Sequence, residues 1–559
     1  MAPSRSGARL VAVAVAFLLP VVFSTSVSAE AWSPRAAVLL VLAAFGLPRI
    51  VPLLRSEIRA TAWAAVAFLV VAALATALSP QPILSLFGLY NWGTGLLFVA
   101  VLVGALALGA SVDQAGVPAV ETALIAGILV NAVVALIQGA FALNVSPFTR
   151  YEGRAAGLLS NPVYLATLMA GGLALVLSRV RTNPVRWGAA TVAVAAALQL
   201  SGSRFALGLA IVLGIVTLAR ERRRAVVGVS ALALGLLLGV GIGAAGGATT
   251  GTGRVQAGGE SVGTTARLRA WASAAHAVAD HPVLGSGPGR FRAATSKYRN
   301  LALVRAEGAD RRFVDAHNIV VEYATTTGIL GLAALAVWLV LASRRARGPL
   351  FGFFLLVLAM HLAEPQSVGT TPLALLALGV AGRAEVARLG RLASAITALL
   401  VVVAAAAAGR LLWGDFQLHQ AELDFRPGRA AAAIRALPPW PEPAEVAGRV
   451  ALYKSITTDA PSAQEETLRS NRLATRRDRT DPDAWTLLAE AQLHFGQATA
   501  AQQNFRQALR WDPWSVRALN GLANAEIAGG NRTAARSALE RSLQAYADQP
   551  KIKAQLAGL

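Results

Sequence analysis

From residue 9 onward, long apolar runs alternate with short, arginine-rich breaks. Thirteen runs stand out, at about 9–25, 36–54, 60–78, 94–110, 117–140, 162–178, 187–201, 204–219, 225–245, 318–342, 349–364, 370–382 and 392–410. A helix crossing a bilayer needs about 20 apolar residues, and most of these runs supply nearly that. The runs 187–201 and 370–382 are short for a full span. Backbone polar groups in lipid must be satisfied within the segment, so the runs are predicted to be helices. The expected fold is all-α, a polytopic membrane bundle of about 12–13 spans.

The breaks orient the bundle. With a cytoplasmic N-terminus, one side receives Arg49, Arg55 and Arg59; Arg179, Arg181 and Arg186; Arg220 and Arg222 to Arg224; Arg344, Arg345 and Arg347; and Arg383, Arg388 and Arg391. Only the short loop 111–116 on that side lacks a positive charge. This is the positive-inside pattern. It places the long loop 246–317, His317 and everything after Arg410 outside. The first run follows Arg5 and Arg9 and precedes the small residues Ser26-Val-Ser-Ala-Glu30, so it reads as a signal peptide or as a retained first helix. Retention is the expectation, because spans follow at once and the charge pattern then closes.

Beyond Arg410 the pattern changes to polar helix pairs. Trp485, Leu488, Ala489, Ala501, Phe505, Ala508 and Pro513 are followed, with a period of 34, by Leu519, Leu522, Ala523, Ala535, Leu539 and Ser542. That is the spacing of tetratricopeptide repeats. The clearest units are 482–515 and 516–549, with 413–437 and 442–477 as degenerate pairs. One pair cannot bury its own face, so Trp485 and Phe505 are expected in the core. The groove of such an array suits a protein partner. The expected division is N-terminal membrane helices at 1–59, a membrane domain at 60–410 and a helical solenoid at 411–559.

Composition narrows the function. Of 559 residues 55% are hydrophobic and only 14% charged, which excludes an ordinary soluble domain. The net charge of +21 comes almost wholly from arginine, partly in the topogenic loops, and no nucleic-acid-binding motif accompanies it. There is no cysteine, which removes thiol catalysis, disulfides and thiolate metal sites. His276, His281 and His361 lack metal-ligand spacing, and neither metal nor other cofactor is expected.

The polar groups gather around the outer loop. It carries ten arginine or lysine residues against five acids. Guanidinium groups bind phosphate oxygens in pairs, so these arginines are candidates for an anionic ligand as well as for lipid headgroups. Its glycines in Gly285-Ser-Gly-Pro-Gly289 are candidates for a phosphate-binding turn. The loop ends on His317 and Asn318 at the mouth of an apolar helix, followed by Gly328 and Gly331. An imidazole there, beside a cationic loop, suits proton transfer on an anionic, lipid-attached substrate. Glu322 is a possible partner for it.

The block His317-Asn318, nine residues, Gly328, two residues, Gly331 resembles the O-antigen ligase family, as do Gly157-Leu-Leu-Ser-Asn-Pro162, Ser203-Arg204 and Arg267 to Trp271 with the glycine turn downstream. The resemblance covers about 60–385, within a larger group that includes O-antigen polymerases and protein O-oligosaccharyltransferases. It implies transfer of a glycan from undecaprenyl diphosphate to an acceptor (lipid, polymer or protein) at the outer face of a bacterial inner membrane. It implies that Arg204 and Arg267 grip the diphosphate and that His317 acts at the acceptor hydroxyl. Asn318 would orient the acceptor or the loop. Arg269, Arg290 and Arg312, with Arg292 and Arg311, are further candidates for binding substrate phosphate. The rival readings are a polymerase, a protein O-oligosaccharyltransferase, a transporter or flippase, and a non-catalytic assembly scaffold.

Overall fold

Each apolar run forms a helix. The computed structural model describes residues 5–221, 225–256, 262–308, 311–385, 389–458 and 461–559; Arg222 to Arg224 and Arg388 of the charge pattern lie outside the described residues. The membrane helices are Arg5–Val21, Trp32–Gly46, Arg59–Ala77, Leu96–Ala110, Val117–Ala140, Pro162–Arg179, Pro184–Leu200, Arg204–Glu221, Val226–Gly246, Ile319–Ser343, Pro349–Met360, Thr371–Ala381 and Arg391–Asp424. Among the described residues, seven helical segments are long and apolar enough to cross a membrane, and four more are apolar but shorter. The short ones survive because they are enclosed. Leu96–Ala110 and Thr371–Ala381 are buried along nearly their whole length.

Local chemistry sets the helix starts. Pro162 and Pro184 occupy first turns, where no backbone N–H is needed. The side chains of Asn161 and Asn183 before them accept from the N–H groups of Val163 (2.9 Å) and Arg186 (3.0 Å). Small residues set the packing. A Cβ on Gly109 would lie 2.2 Å from the Leu376 carbonyl oxygen, and one on Gly379 would lie 2.2 Å from that of Leu106. The two backbones therefore touch, as helices do where lipid gives no hydrophobic drive to associate. The first helix is integrated into the bundle: Ala12, Ala16 and Leu19 are fully buried, and Asn131 donates to the Pro20 carbonyl at 2.9 Å.

One boundary differs from expectation. The last membrane helix does not stop near residue 410 but runs unbroken to Asp424. Neither Gly409 nor Gly414 breaks it. It ends where Phe425 adopts φ 51° and Pro427 begins the next helix. Helices Glu442–Thr458 and Pro461–Arg477 pack together, then Pro482–His494 with Ala498–Trp511 and Val516–Ala528 with Arg532–Ala545. The last two pairs share a core around Phe505, Leu522 and Leu539. Trp485 packs against it half-buried, its indole N–H bonded to the Arg479 carbonyl at 2.9 Å. This domain rests on the loop 246–317, where Val304 joins Val516 and Ala545 in a buried cluster. The loop and the domain therefore occupy the same end of the bundle as His317.

Candidate functional site

The helix that follows His317 is broken on purpose. Gly328 has φ 67° and ψ −173°, inside what is otherwise one helix from Ile319 to Ser343. Backbone groups freed in a membrane helix need partners, and the loop 282–287 supplies them. Ser286 and Gly287 donate N–H bonds to the Thr325 and Thr326 carbonyls at 3.0 and 2.8 Å. Ile329 and Leu330 donate to the Pro282 and Val283 carbonyls at 2.9 and 3.3 Å. A Cβ on Gly328 would lie 2.3 Å from the Val283 carbonyl, so only glycine admits this contact. The expected phosphate-binding turn at Gly285 to Gly289 is thereby corrected. Its Ser286 and Gly287 amides are spent on the broken helix rather than open to an anion.

Above the break, Asn318 caps the helix. Its side-chain oxygen accepts from Val320 and Val321 at 2.9 and 3.1 Å, and its amide donates to the Leu362 carbonyl at 2.8 Å. His317 precedes it with φ 50°, a left-handed conformation unusual for histidine. Asp315 holds it there. One carboxylate oxygen accepts the His317 backbone N–H at 2.7 Å and faces Nδ1 at 2.9 Å. That contact puts the ring proton on Nδ1 and leaves Nε2 as the basic nitrogen. Burial pulls the imidazole pKa down. The Asp315 charge and hydrogen bond push it up and win, so it lies above the ordinary 6.5. Phe313 packs edge-on against the ring, with centroids 5.2 Å apart. Glu322 is not the partner of the histidine. It accepts the Ala316 N–H at 2.9 Å, and Trp271 donates to the Ala316 carbonyl at 2.8 Å, so both fix the approach to His317.

Beside the imidazole stands a group of arginines. Arg267 donates to the Ala363 carbonyl at 2.7 Å and pairs with Glu364 at 2.8 Å. Both it and Glu364 are within electrostatic reach of His317. Arg254 donates to the Gly202 carbonyl at 3.1 Å. Burial first, then the charges of Arg154, Arg204 and Arg267, lower its pKa, against the opposing pull of Glu364. Arg154 lies against Gly202, where a Cβ would come 2.7 Å from its Cδ, and pairs with the half-exposed Glu152 at 3.3 Å. Arg204, at the start of its helix, has no hydrogen-bond or ion-pair partner among the described residues. Arg154, Arg204 and Arg267 are thus all within electrostatic reach of Arg254, and the four guanidinium groups outnumber Glu152, Glu364 and Asp315, a positive surplus suited to an anion. Arg254, Glu364 and Asp315 escaped the sequence reading. Arg254 sits in a glycine-rich stretch, Glu364 ends an apolar run, and only Asp315, two residues before the histidine, carried a local signal.

The other candidate arginines lie elsewhere. Arg290 is corrected: it is buried, with Nη1 and Nη2 each 3.2 Å from a carboxylate oxygen of Asp478 and Nη2 2.6 Å from the Thr480 hydroxyl. Arg312 pairs with Asp483 and stands 3.6 Å from Asp512. Arg292 pairs with Asp481 and Asp483 at 3.1 and 2.8 Å. Arg269 donates to the Ala302 carbonyl, and the exposed Arg311 faces Glu152 at 3.3 Å. Arg290, Arg292 and Arg312 therefore fasten the loop to the C-terminal domain instead of facing the site.

The O-antigen ligase family model matches residues 189–336, and a tetratricopeptide-repeat model matches residues 492–559. The first is narrower than the 60–385 of the resemblance, yet it holds Arg204, Arg254, Arg267, His317 and Asn318 together. Comparison with curated proteins finds no match. Within its membrane part the chain is thus similar to the O-antigen ligase family, and at its C-terminal end to tetratricopeptide repeats.

Proposed function

We propose that this chain is a glycosyltransferase of the O-antigen ligase type, moving a glycan from undecaprenyl diphosphate to a hydroxyl of a surface lipid, polymer or protein. It works in a bacterial inner membrane with the loop 246–317 and the C-terminal domain facing outward. The domain division follows: membrane helices at 1–59, a transferase domain from 60 to the end of the last span, and the repeats beyond. The acceptor oxygen bonds to the anomeric carbon as the bond from that carbon to the diphosphate oxygen breaks. His317 Nε2 takes the acceptor proton, and the diphosphate leaves as an anion held by Arg204, Arg254 and Arg267. Attack opposite the leaving group inverts the anomeric centre.

The observation that carries this reading is the surplus of guanidinium charge beside a histidine backed by Asp315. Charge grows on the diphosphate as the bond breaks, so fixed cations there bind the transition state more tightly than the ground state. A sugar hydroxyl needs a base, and an imidazole with Nε2 free supplies one worth about 10²–10⁴ in rate. Asn318 positions the histidine through its cap. The test is transfer of labelled glycan from undecaprenyl diphosphate to an extract of envelope acceptors, by purified protein in liposomes. Wild type should move the label and His317→Ala should not, with both inserted equally. Growth of longer lipid-linked chains would make the protein a polymerase. Equal transfer by His317→Ala would remove the histidine from the mechanism.

A further inference from the structure

The turn that follows the helix Pro349–Met360 touches the candidate site at four successive residues. The His361 carbonyl accepts the Ile319 N–H at 2.7 Å. The Leu362 carbonyl accepts from the Asn318 side-chain amide at 2.8 Å. The Ala363 carbonyl and the Glu364 carboxylate take the two ends of Arg267, at 2.7 and 2.8 Å. The first two contacts hold the residues next to His317. The last two hold a guanidinium proposed to grip the diphosphate. One turn therefore spans the base and a leaving-group cation.

The turn is itself pinned to a rigid element. His361 Nε2 lies 3.0 Å from the Thr371 hydroxyl. That hydroxyl accepts the Ser367 N–H at 3.1 Å, so its own hydrogen is free to go to the imidazole. Thr371 thus holds both ends of the stretch 361–367. His361, Ser367 and Thr371 are each no more than 3% exposed, which keeps water from replacing these bonds. Thr371 opens the helix Thr371–Ala381, which is enclosed along nearly its whole length and meets Leu96–Ala110 backbone to backbone at Gly379 and Gly109. The imidazole is not needed to close the turn, because the N–H groups of His361 to Glu364 already bond to the Val357, Ala359 and Met360 carbonyls. What the ring adds is the link to Thr371.

We infer that the turn 361–364 fixes the distance between the base and the leaving-group cation, and that His361 and Thr371 are positioning residues for the transfer, acting through Asn318 and Arg267. The inference rests on the transferase reading above. Reacting groups must be held to a fraction of an ångström, and a displacement of about 1 Å costs about 10²-fold in rate. Neither His361 nor Thr371 lines the His317 pocket, so a loss of rate on changing them is a loss of placement.

The test uses the full chain, in liposomes with a glycan-bearing undecaprenyl diphosphate as donor and in detergent for hydrogen–deuterium exchange. Thr371→Val keeps the shape and removes the hydroxyl. It should lower kcat about tenfold to hundredfold and leave the KM for the donor within about threefold, because Arg204 and Arg254 still hold the diphosphate. Thr371→Ser keeps the hydroxyl and should restore kcat. In an Arg267→Gln background the valine substitution should cost at most roughly a third as much, since one of the two groups it displaces is gone; a merely destabilising change costs the same factor in both backgrounds. Amide exchange at 318–322, read without glycan, should rise about tenfold in Thr371→Val and stay at the wild-type rate in Thr371→Ser. Thr371→Ala gives the same readings where the valine protein does not insert. A wild type that inserts but transfers no glycan overturns the proposed function and this inference with it. An active wild type with unchanged exchange at 318–322 in Thr371→Val, or with an equal fold loss of kcat in both backgrounds, overturns this inference alone.

Discussion

Removing the Asp478 carboxylate should release the outer loop. Asp478 and Arg290 meet in a two-point contact, with side chains only 5% and 3% exposed. Burial alone would raise the Asp478 pKa, but the Arg290 charge and hydrogen bonds from Arg290 and Thr480 bring it below the ordinary carboxylate value. The contact is therefore intact above the unfolded-state value of about 3.9 and weakens as pH falls through the lower folded value. Asp478→Ala leaves the guanidinium buried and unpaired, which costs about 3–5 kcal/mol. Local opening governs amide exchange, so exchange at 287–299 should speed up by roughly 10²- to 10⁴-fold at neutral pH. The assay is hydrogen–deuterium exchange of the full chain in detergent, with the membrane helices as internal control. The double variant Arg290→Met/Asp478→Leu replaces the pair with apolar groups and should return exchange to within about tenfold of wild type. An Asp478→Ala protein whose loop exchanges less than tenfold faster would refute the reasoning, since a buried, unpaired guanidinium cannot be that cheap.

Other expectations follow from the same geometry. Asp315→Asn should lower the transfer rate and move the rising limb of the pH–rate profile to lower pH, because the wild-type imidazole titrates above 6.5 through the Asp315 charge; an unmoved limb would mean that the observed titration is not that of His317. Arg204→Lys should cut turnover severely, because an ammonium lacks the planar fork that binds phosphate oxygens in pairs, and near-normal turnover would make Arg204 a lipid anchor. Arg254→Gln should reduce turnover by about tenfold to a hundredfold while leaving the amount of inserted protein unchanged, the loss of one charge-assisted contact; unaltered kinetics would remove it from the cluster. Gly328→Ala should lower the yield of folded protein, since its φ 67°, ψ −173° backbone, a region essentially confined to glycine, costs another residue about 1–3 kcal/mol before the added methyl meets the Val283 carbonyl; limited proteolysis at 282–287 reads the result, and wild-type resistance would contradict the seating of that loop.

The spans were legible because a bilayer asks little of a sequence beyond apolar length. The repeats were legible because a period of 34 with small residues at fixed places leaves few alternatives. His317 was legible only as part of a block. Its partner was misjudged because helical spacing drew attention forward to Glu322, whereas a left-handed backbone at His317 turns the ring back toward Asp315. Arg290 and Arg312 looked like phosphate ligands because the acids that neutralise them lie 188 and 171 residues downstream. Charge in a loop says that a counter-charge exists, not where. Glu364 and Arg254 failed in the opposite way: each is isolated in sequence, and only folding brings them together near Arg204 and Arg267.

The loop before His317 is held at both ends, and this explains why an extension outside the family segment can bear on the site. At one end, residues 282–287 fill the break at Gly328, ten residues along the helix that Asn318 caps. At the other, Arg290 and Arg292 run straight into Asp478, Asp481 and Asp483, the acids at the entry to the first clear repeat. Between the two anchors lie only Pro288 and Gly289, and Pro288 itself lines the His317 pocket. A segment that short cannot absorb much displacement, since each residue spans at most about 3.6 Å. A shift of the repeats is therefore passed to the broken helix or to the wall of the pocket. Arg254, Arg267 and His317 all belong to the loop 246–317, so their spacing is tied to a segment that the C-terminal domain grips.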